Sequence, residues 1–153
     1  MNIQQISIQN IRSIQKQTIK FSKNTNLIYG KNGSGKTSIL EAIFLLCYTK
    51  TFRFGGQHNL ITTNKKTMST KGVFFDTNDK KIIVTHNKLR DEKKITINNK
   101  EIRKTSEVLG KIPCVVLSPE DSDIVSGPNN NRLKYVDKIL STTNKKYLNS
   151  LIK

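Results

Sequence analysis

One stretch of eight residues constrains the fold of this chain more than any other. Gly30-Lys31-Asn32-Gly33-Ser34-Gly35-Lys36-Thr37 matches G-x-x-x-x-G-K-[ST] at every fixed position. That pattern cradles phosphate only where a strand delivers the chain to it and a helix carries the chain away. Both flanks are legible. Residues 26–29 form a short apolar run ending at Gly30, read as the entering strand. From Lys36 onward Ile39, Leu40, Ile43, Phe44, Leu46 and Cys47 recur at helical spacing, with no Gly or Pro before Gly55. In such a loop the glycines let successive backbone N–H groups turn inward, and the helix beginning near Lys36 adds its positive dipole end at the same point. Lys36 then reaches the β- and γ-phosphates of a nucleotide, and the Thr37 hydroxyl ligates the Mg²⁺ that bridges them. The expected fold class is α/β, of the P-loop nucleotide-binding kind.

The remaining chain has to supply a sheet for that helix. Ile3, Ile6 and Ile8 within residues 2–8, and Ile19 and Phe21 within 18–21, alternate as strands that can pair in a hairpin. The middle third holds three β-branched or aromatic runs, 71–75, 81–86 and 93–97, separated by turns such as Thr77-Asn78-Asp79 and Asn98-Asn99. That order predicts an antiparallel meander. A short helical stretch is expected around 106–109, then a buried strand over 114–117. Ser118-Pro119-Glu120-Asp121 has the elements of a helix start, Gly127-Pro128 breaks the chain, and helices are expected over 132–140 and around Tyr147, Leu148, Leu151 and Ile152. No repeat or low-complexity linker divides the 153 residues, so they read as one domain.

Charge narrows the function classes. The chain carries 27 Lys plus Arg against 11 Asp plus Glu, a formal net charge of +16. Lys, Asn and Ile make up 57 of the residues, all written by AT-rich codons, so part of the excess reflects coding bias. The basic residues are nevertheless spread along the chain, with 7 basic and 1 acidic in residues 1–50, 11 and 4 in 51–100, and 9 and 6 in 101–153. Such a field favours encounter with a polyanion. The longest apolar run, 42–48, is far short of the roughly 20 residues a membrane span needs, and the Gln-rich first twenty residues lack a signal-peptide core. Cys47 and Cys114 show no metal-ligand spacing, and there are two His. These features fit a cytoplasmic protein with reduced thiols and no membrane association.

Holding a nucleotide is not hydrolysing it. Hydrolysis needs a second acid, usually an Asp ending an apolar strand, to hold Mg²⁺. Val73-Phe74-Phe75-Asp76 imitates this but runs straight into a turn, and Glu120-Asp121 sit in the first turn of an expected helix. Neither reads as the catalytic acid.

Several blocks together resemble a known family. Asn10-Ile11-Arg12 after the opening strand, the phosphate loop running into Ser38-Ile39-Leu40-Glu41-Ala42-Ile43, and Thr51-Phe52-Arg53 resemble the N-terminus of the bacterial RecF proteins. Val116-Leu117-Ser118-Pro119-Glu120-Asp121 and the spacing of Gly127, Arg132, Val136 and Asp137 resemble later RecF segments in the same order. The resemblance implies the N-terminal lobe, residues 1–153, of an ABC-type ATPase head. That head binds ATP and Mg²⁺ and forms an ATP-dependent homodimer. It also implies binding to single-stranded or gapped DNA in replication, recombinational repair and the SOS response, with RecO and RecR as partners. Gly30 to Thr37 carry over as the ATP site; Arg12 and Arg53 match family positions near the nucleotide or DNA face. Two departures stand out. Family members are more than twice as long, their signature and Walker B motifs lying in a further part, and two consecutive arginines are usual where this chain has Arg132-Leu133. A chain without those motifs is expected to bind ATP without measurable hydrolysis. The alternatives at this level are a nonenzymatic remnant that at most binds nucleotide, the N-terminal part of another SMC- or Rad50-like head, and a small basic nucleic-acid binder.

Overall fold

A computed structural model describes residues 1–53, 60–78, 80–89, 92–118 and 128–151. The expected hairpin forms from β1 (Asn2–Ile11) and β2 (Ile14–Lys20), and the meander from β3 (Thr67–Phe75), β4 (Lys81–Leu89), β5 (Glu92–Ile97) and a short β6 (Lys100–Ile102). All six make one antiparallel sheet in the order β2-β1-β3-β4-β5-β6. β1 is therefore an interior strand next to the β2 edge, paired to β2 on one side and β3 on the other, with Ile8 opposite both Gln17 and Thr70.

Period-two alternation sends Ile6 and Ile8 of β1, Met68, Thr70 and Phe74 of β3, Val84 and His86 of β4 and Ile95 of β5 to one buried face. Onto that face lies α1 (Lys36–Tyr48), with Ile39, Ala42, Phe44, Leu45, Leu46 and Cys47 buried. Each fully buried Ile or Leu contributes roughly 1.5–3 kcal/mol relative to exposure. The helix sits close because β3 offers Gly72 beneath it. A Cβ there would stand 2.5 Å from Phe74 Cε2 and 2.7 Å from Leu46 Cδ1. Leu40, expected on the inner stripe, faces solvent instead.

Two sequence expectations fail. Residues 26–29 and 114–117 belong to no strand. Leu27 and Tyr29 are more than four-fifths exposed, and Val115 and Leu117 are 91% exposed. Their apolar content is strand-like, but no neighbouring strand among the described residues offers a ladder to either. The second segment is pinned at its start by the Tyr48 hydroxyl, which donates to the Cys114 carbonyl at 2.7 Å. Its thiol lies against that of Cys47, and this contact together with burial pushes the Cys47 thiol pKa up. A 3-10 turn (Thr105–Glu107) occupies the expected helical stretch near 106–109. The helix start expected at Ser118-Pro119-Glu120-Asp121 falls on residues 119–127, outside the described residues; beyond them α2 (Asn129–Thr143) and α3 (Lys145–Leu151) form as expected.

Candidate nucleotide-binding site

The phosphate loop begins at Gly30 and ends at Gly35, the N-cap of α1. Gly30, Gly33 and Gly35 have φ of 147°, 80° and 91°. Gly35 shows why the type matters: it is left-handed and buried against the β1–β2 turn, where a Cβ would meet Ile14 Cγ1 at 3.3 Å and Ser13 Oγ at 3.4 Å. No side chain caps the helix it begins. The first-turn N–H groups of α1 are thus presented to the loop, as an anion site requires. Ser34 N–H donates to the Lys31 carbonyl at 3.2 Å and tightens the turn.

Lys36 folds back over this cradle. Its Nζ donates to the carbonyls of Gly30 and Lys31, both at 2.8 Å, so an ammonium stands at the mouth of the loop. Lys31, Asn32 and Thr37 are exposed, Thr37 on the first turn of α1. An exposed hydroxyl beside an anion nest fits one of the few protein ligands that Mg²⁺ takes in such sites, most of the others coming from phosphate and water.

Arg12 and Arg53 come together, but on a residue that the sequence reading did not single out. Glu41 is buried completely on α1. Arg12 donates to it through Nε (3.0 Å) and Nη2 (2.8 Å), and Arg53 Nη1 stands 3.9 Å away. The bond to Glu41 holds the Arg12 guanidinium above its ordinary pKa, with burial opposing. Thr51 also donates its hydroxyl to Glu41. A signal was available: Glu41 is the one acid in the first fifty residues and shares a helical stripe with Ser38 and Leu45.

Asp76 has a different task. Its Oδ1 accepts the N–H groups of Asn78 and Lys80, both at 2.8 Å, closing the β3–β4 turn as expected of a hairpin end. Glu120 and Asp121 lie outside the described residues. Among the described residues no cluster of His, Cys, Asp and Glu could hold a metal, and no helix is long and apolar enough to cross a membrane.

An antiparallel sheet laid on a helix that opens from a glycine phosphate loop has the α/β, P-loop fold of the N-terminal lobe of an ABC-type head. The chain belongs to the AAA-domain family, which it matches over residues 5–152. Within it, the resemblance to RecF holds from end to end. The chain is 34% identical over 152 residues to the DNA replication and repair protein RecF of Thermoanaerobacter sp. (strain X514), covering 99% of this chain and 42% of that protein. It is 33% identical over 153 residues to the protein of the same name from Cytophaga hutchinsonii, covering 100% of this chain and 40% of that one. Among solved structures, the recombination mediator protein RecF with ATP in the RecFOR pathway matches with a TM-score of 0.92 at 30% identity. The match covers 98% of this chain and 40% of that one. The SMC head domain from Thermotoga maritima shares the fold, with a TM-score of 0.54 at 24% identity over 67% of this chain. The chain thus spans about two-fifths of the length of the curated relatives it matches.

Proposed function

We propose that residues 1–153 form one N-terminal, ATP-binding lobe of a RecF-type DNA replication and repair ATPase. One observation carries this reading: the Lys36 ammonium, 2.8 Å from the Gly30 and Lys31 carbonyls, stands over a nest closed by an uncapped helix N-terminus. Gly30 to Thr37 hold the triphosphate there. Lys36 exchanges its carbonyl partners for β- and γ-phosphate oxygens, and Thr37 supplies a hydroxyl to Mg²⁺. The similarity to RecF solved with ATP supports the same choice of nucleotide. The net charge of +16 suits the phosphate backbone of single-stranded or gapped DNA, with RecO and RecR as further partners and ATP-dependent dimerisation as in the RecF family. Work on chromosomal DNA places the protein in the cytoplasm, serving repair and the SOS response. Hydrolysis by this chain alone is not expected for want of a recognisable Walker B acid and signature motif, and Asp76, one of the acids that imitates the former, is committed to its turn.

Calorimetric titration with Mg-ATP, followed by single-stranded DNA titration with and without ATP, tests the reading. Lys36→Ala should weaken ATP binding by at least about a hundredfold, given the loss of a charge-assisted contact to two phosphates. Thr37→Ala should remove the Mg²⁺ dependence. Unaltered affinity in both variants refutes the site.

A further inference from the structure

Glu41 occupies a position that a carboxylate rarely takes. It is wholly buried, one helical turn after Thr37 on α1, and a buried charge is costly unless its lone pairs are filled. Here they are filled from two directions. Arg12, in the turn between β1 and β2, makes two parallel bonds to the two carboxylate oxygens. From the segment after α1, the Thr51 hydroxyl donates to Oε1 and accepts the Arg53 backbone N–H at 3.1 Å. Between them the Phe52 ring meets Phe44 of α1 edge to face, centroids 5.5 Å apart.

The Arg12 arm leads to the phosphate loop. Arg12 has φ of 52°, a conformation that a bulky residue keeps only where its surroundings enforce it. Its own N–H is tied to the Leu60 carbonyl at 2.8 Å. The next two residues, Ser13 and Ile14, are the ones against which Gly35 is seated. One carboxylate therefore ties α1 to the turn that backs the last loop glycine and to the segment that carries Arg53.

We propose that Glu41 is a positioning residue for the phosphate loop, fixing residues 12–14 against Gly35 and residues 51–53 against α1. Nucleotide affinity then depends on a group that does not face the nucleotide. The inference rests on the reading of Gly30 to Thr37 as the nucleotide site. Its sign separates it from plain electrostatics. Removing a negative charge near an anion site should tighten binding by Coulomb's law, whereas loss of positioning should weaken it.

The test is Mg-ATP titration of the full chain carrying Glu41→Gln, Arg12→Gln, both together, or Thr51→Val, each checked for a cooperative melt. Glu41→Gln should weaken affinity about tenfold, as loss of a supporting partner commonly does, and Thr51→Val about threefold, losing one of its bonds. If Glu41 acts through Arg12, the double variant should bind no more weakly than the weaker single one. Unchanged or tighter binding by a folded Glu41→Gln overturns the proposal, whatever its melting temperature. Should Glu41→Gln fail to fold, Thr51→Val decides, and unchanged affinity there overturns it as well. A wild-type chain that does not bind ATP, or a Lys36→Ala variant that binds as wild type does, is a different failure: it removes the site reading and this proposal with it.

Discussion

β3 and residues 113–118 carry the same kind of sequence and meet different fates. Val73-Phe74-Phe75 in β3 has register partners in both β1 and β4, and Phe74 is buried beneath α1. Cys114-Val115-Val116-Leu117 is as apolar and alternates just as strictly, with Cys114 and Val116 half-buried and Val115 and Leu117 in solvent. Yet it forms no strand. The same contrast holds for the run that enters the phosphate loop, where Leu27 and Tyr29 are exposed. A strand-like sequence specifies an extended ribbon; a ladder needs a neighbour whose place is set elsewhere in the chain. One face of α1 is thus closed by the sheet, whereas residues 26–29, which lead into the phosphate loop, and 114–117, which meet the C-terminal end of α1 at Tyr48 and Cys47, join no strand among the described residues.

The contrast can be broken or sharpened by substitution. On the closed side the largest loss should follow Arg12→Ala, which leaves the buried Glu41 carboxylate with the Thr51 hydroxyl and, at 3.9 Å, Arg53. A cost of about 3–5 kcal/mol is expected in a denaturant melt. Next comes His86, buried in β4 opposite Thr70, its ring nitrogens without a well-formed hydrogen bond. Burial, aided by Lys93, pushes its pKa down to about 4. Above pH 6.5 the ring is neutral in both folded and unfolded chains, and the stability it contributes is complete. Between 6.5 and about 4 only the unfolded chain takes up the proton, so stability falls with pH by roughly 3 kcal/mol in all. Melts at pH 7 and 4.5 should show this loss in wild type, and a markedly smaller one in His86→Leu. Gly72→Ala should cost about 1–3 kcal/mol through overpacking against Phe74 and Leu46. On the open side, Val115→Ser with Leu117→Ser should change stability by less than about 0.5 kcal/mol, since neither side chain is covered. A large loss there would mean that the ribbon is held by more than its inward-facing residues.

The contrast also marks what the sequence made legible. The hairpin, the meander and α1 follow from local periods of 2 and 3.6, which report which face is buried. The phosphate loop was legible because its glycines, Lys36 and Thr37 lie at fixed offsets from the helix they begin. The ribbons were misread because pairing is non-local, and no property of Val115 or Leu117 encodes the absence of a partner. Glu41 was missed for a related reason. A glutamate in an amphipathic helix is normally solvated, and only the convergence of Arg12 and Thr51, distant in sequence, makes its burial affordable. Both arginines were singled out, and what the fold adds is that they share a carboxylate.

β1 lies between β2 and β3, yet the chain leaves β2 at Lys20 and, among the described residues, touches the sheet again only through the Ile61 bridge to Ile11 before β3 begins at Thr67. The phosphate loop and α1 are therefore an excursion made between two strands that are next-nearest neighbours in the finished sheet. Closing that excursion is an entropic cost met before the contacts that reward it. During synthesis the seat of Gly35, residues 13 and 14, emerges before the loop, but the floor under α1 is complete only once β3 and Gly72 have emerged and paired with β1. The motif that comes early in the chain is in this sense supported late, and the nucleotide binding proposed for it would report that the floor under α1 is in place.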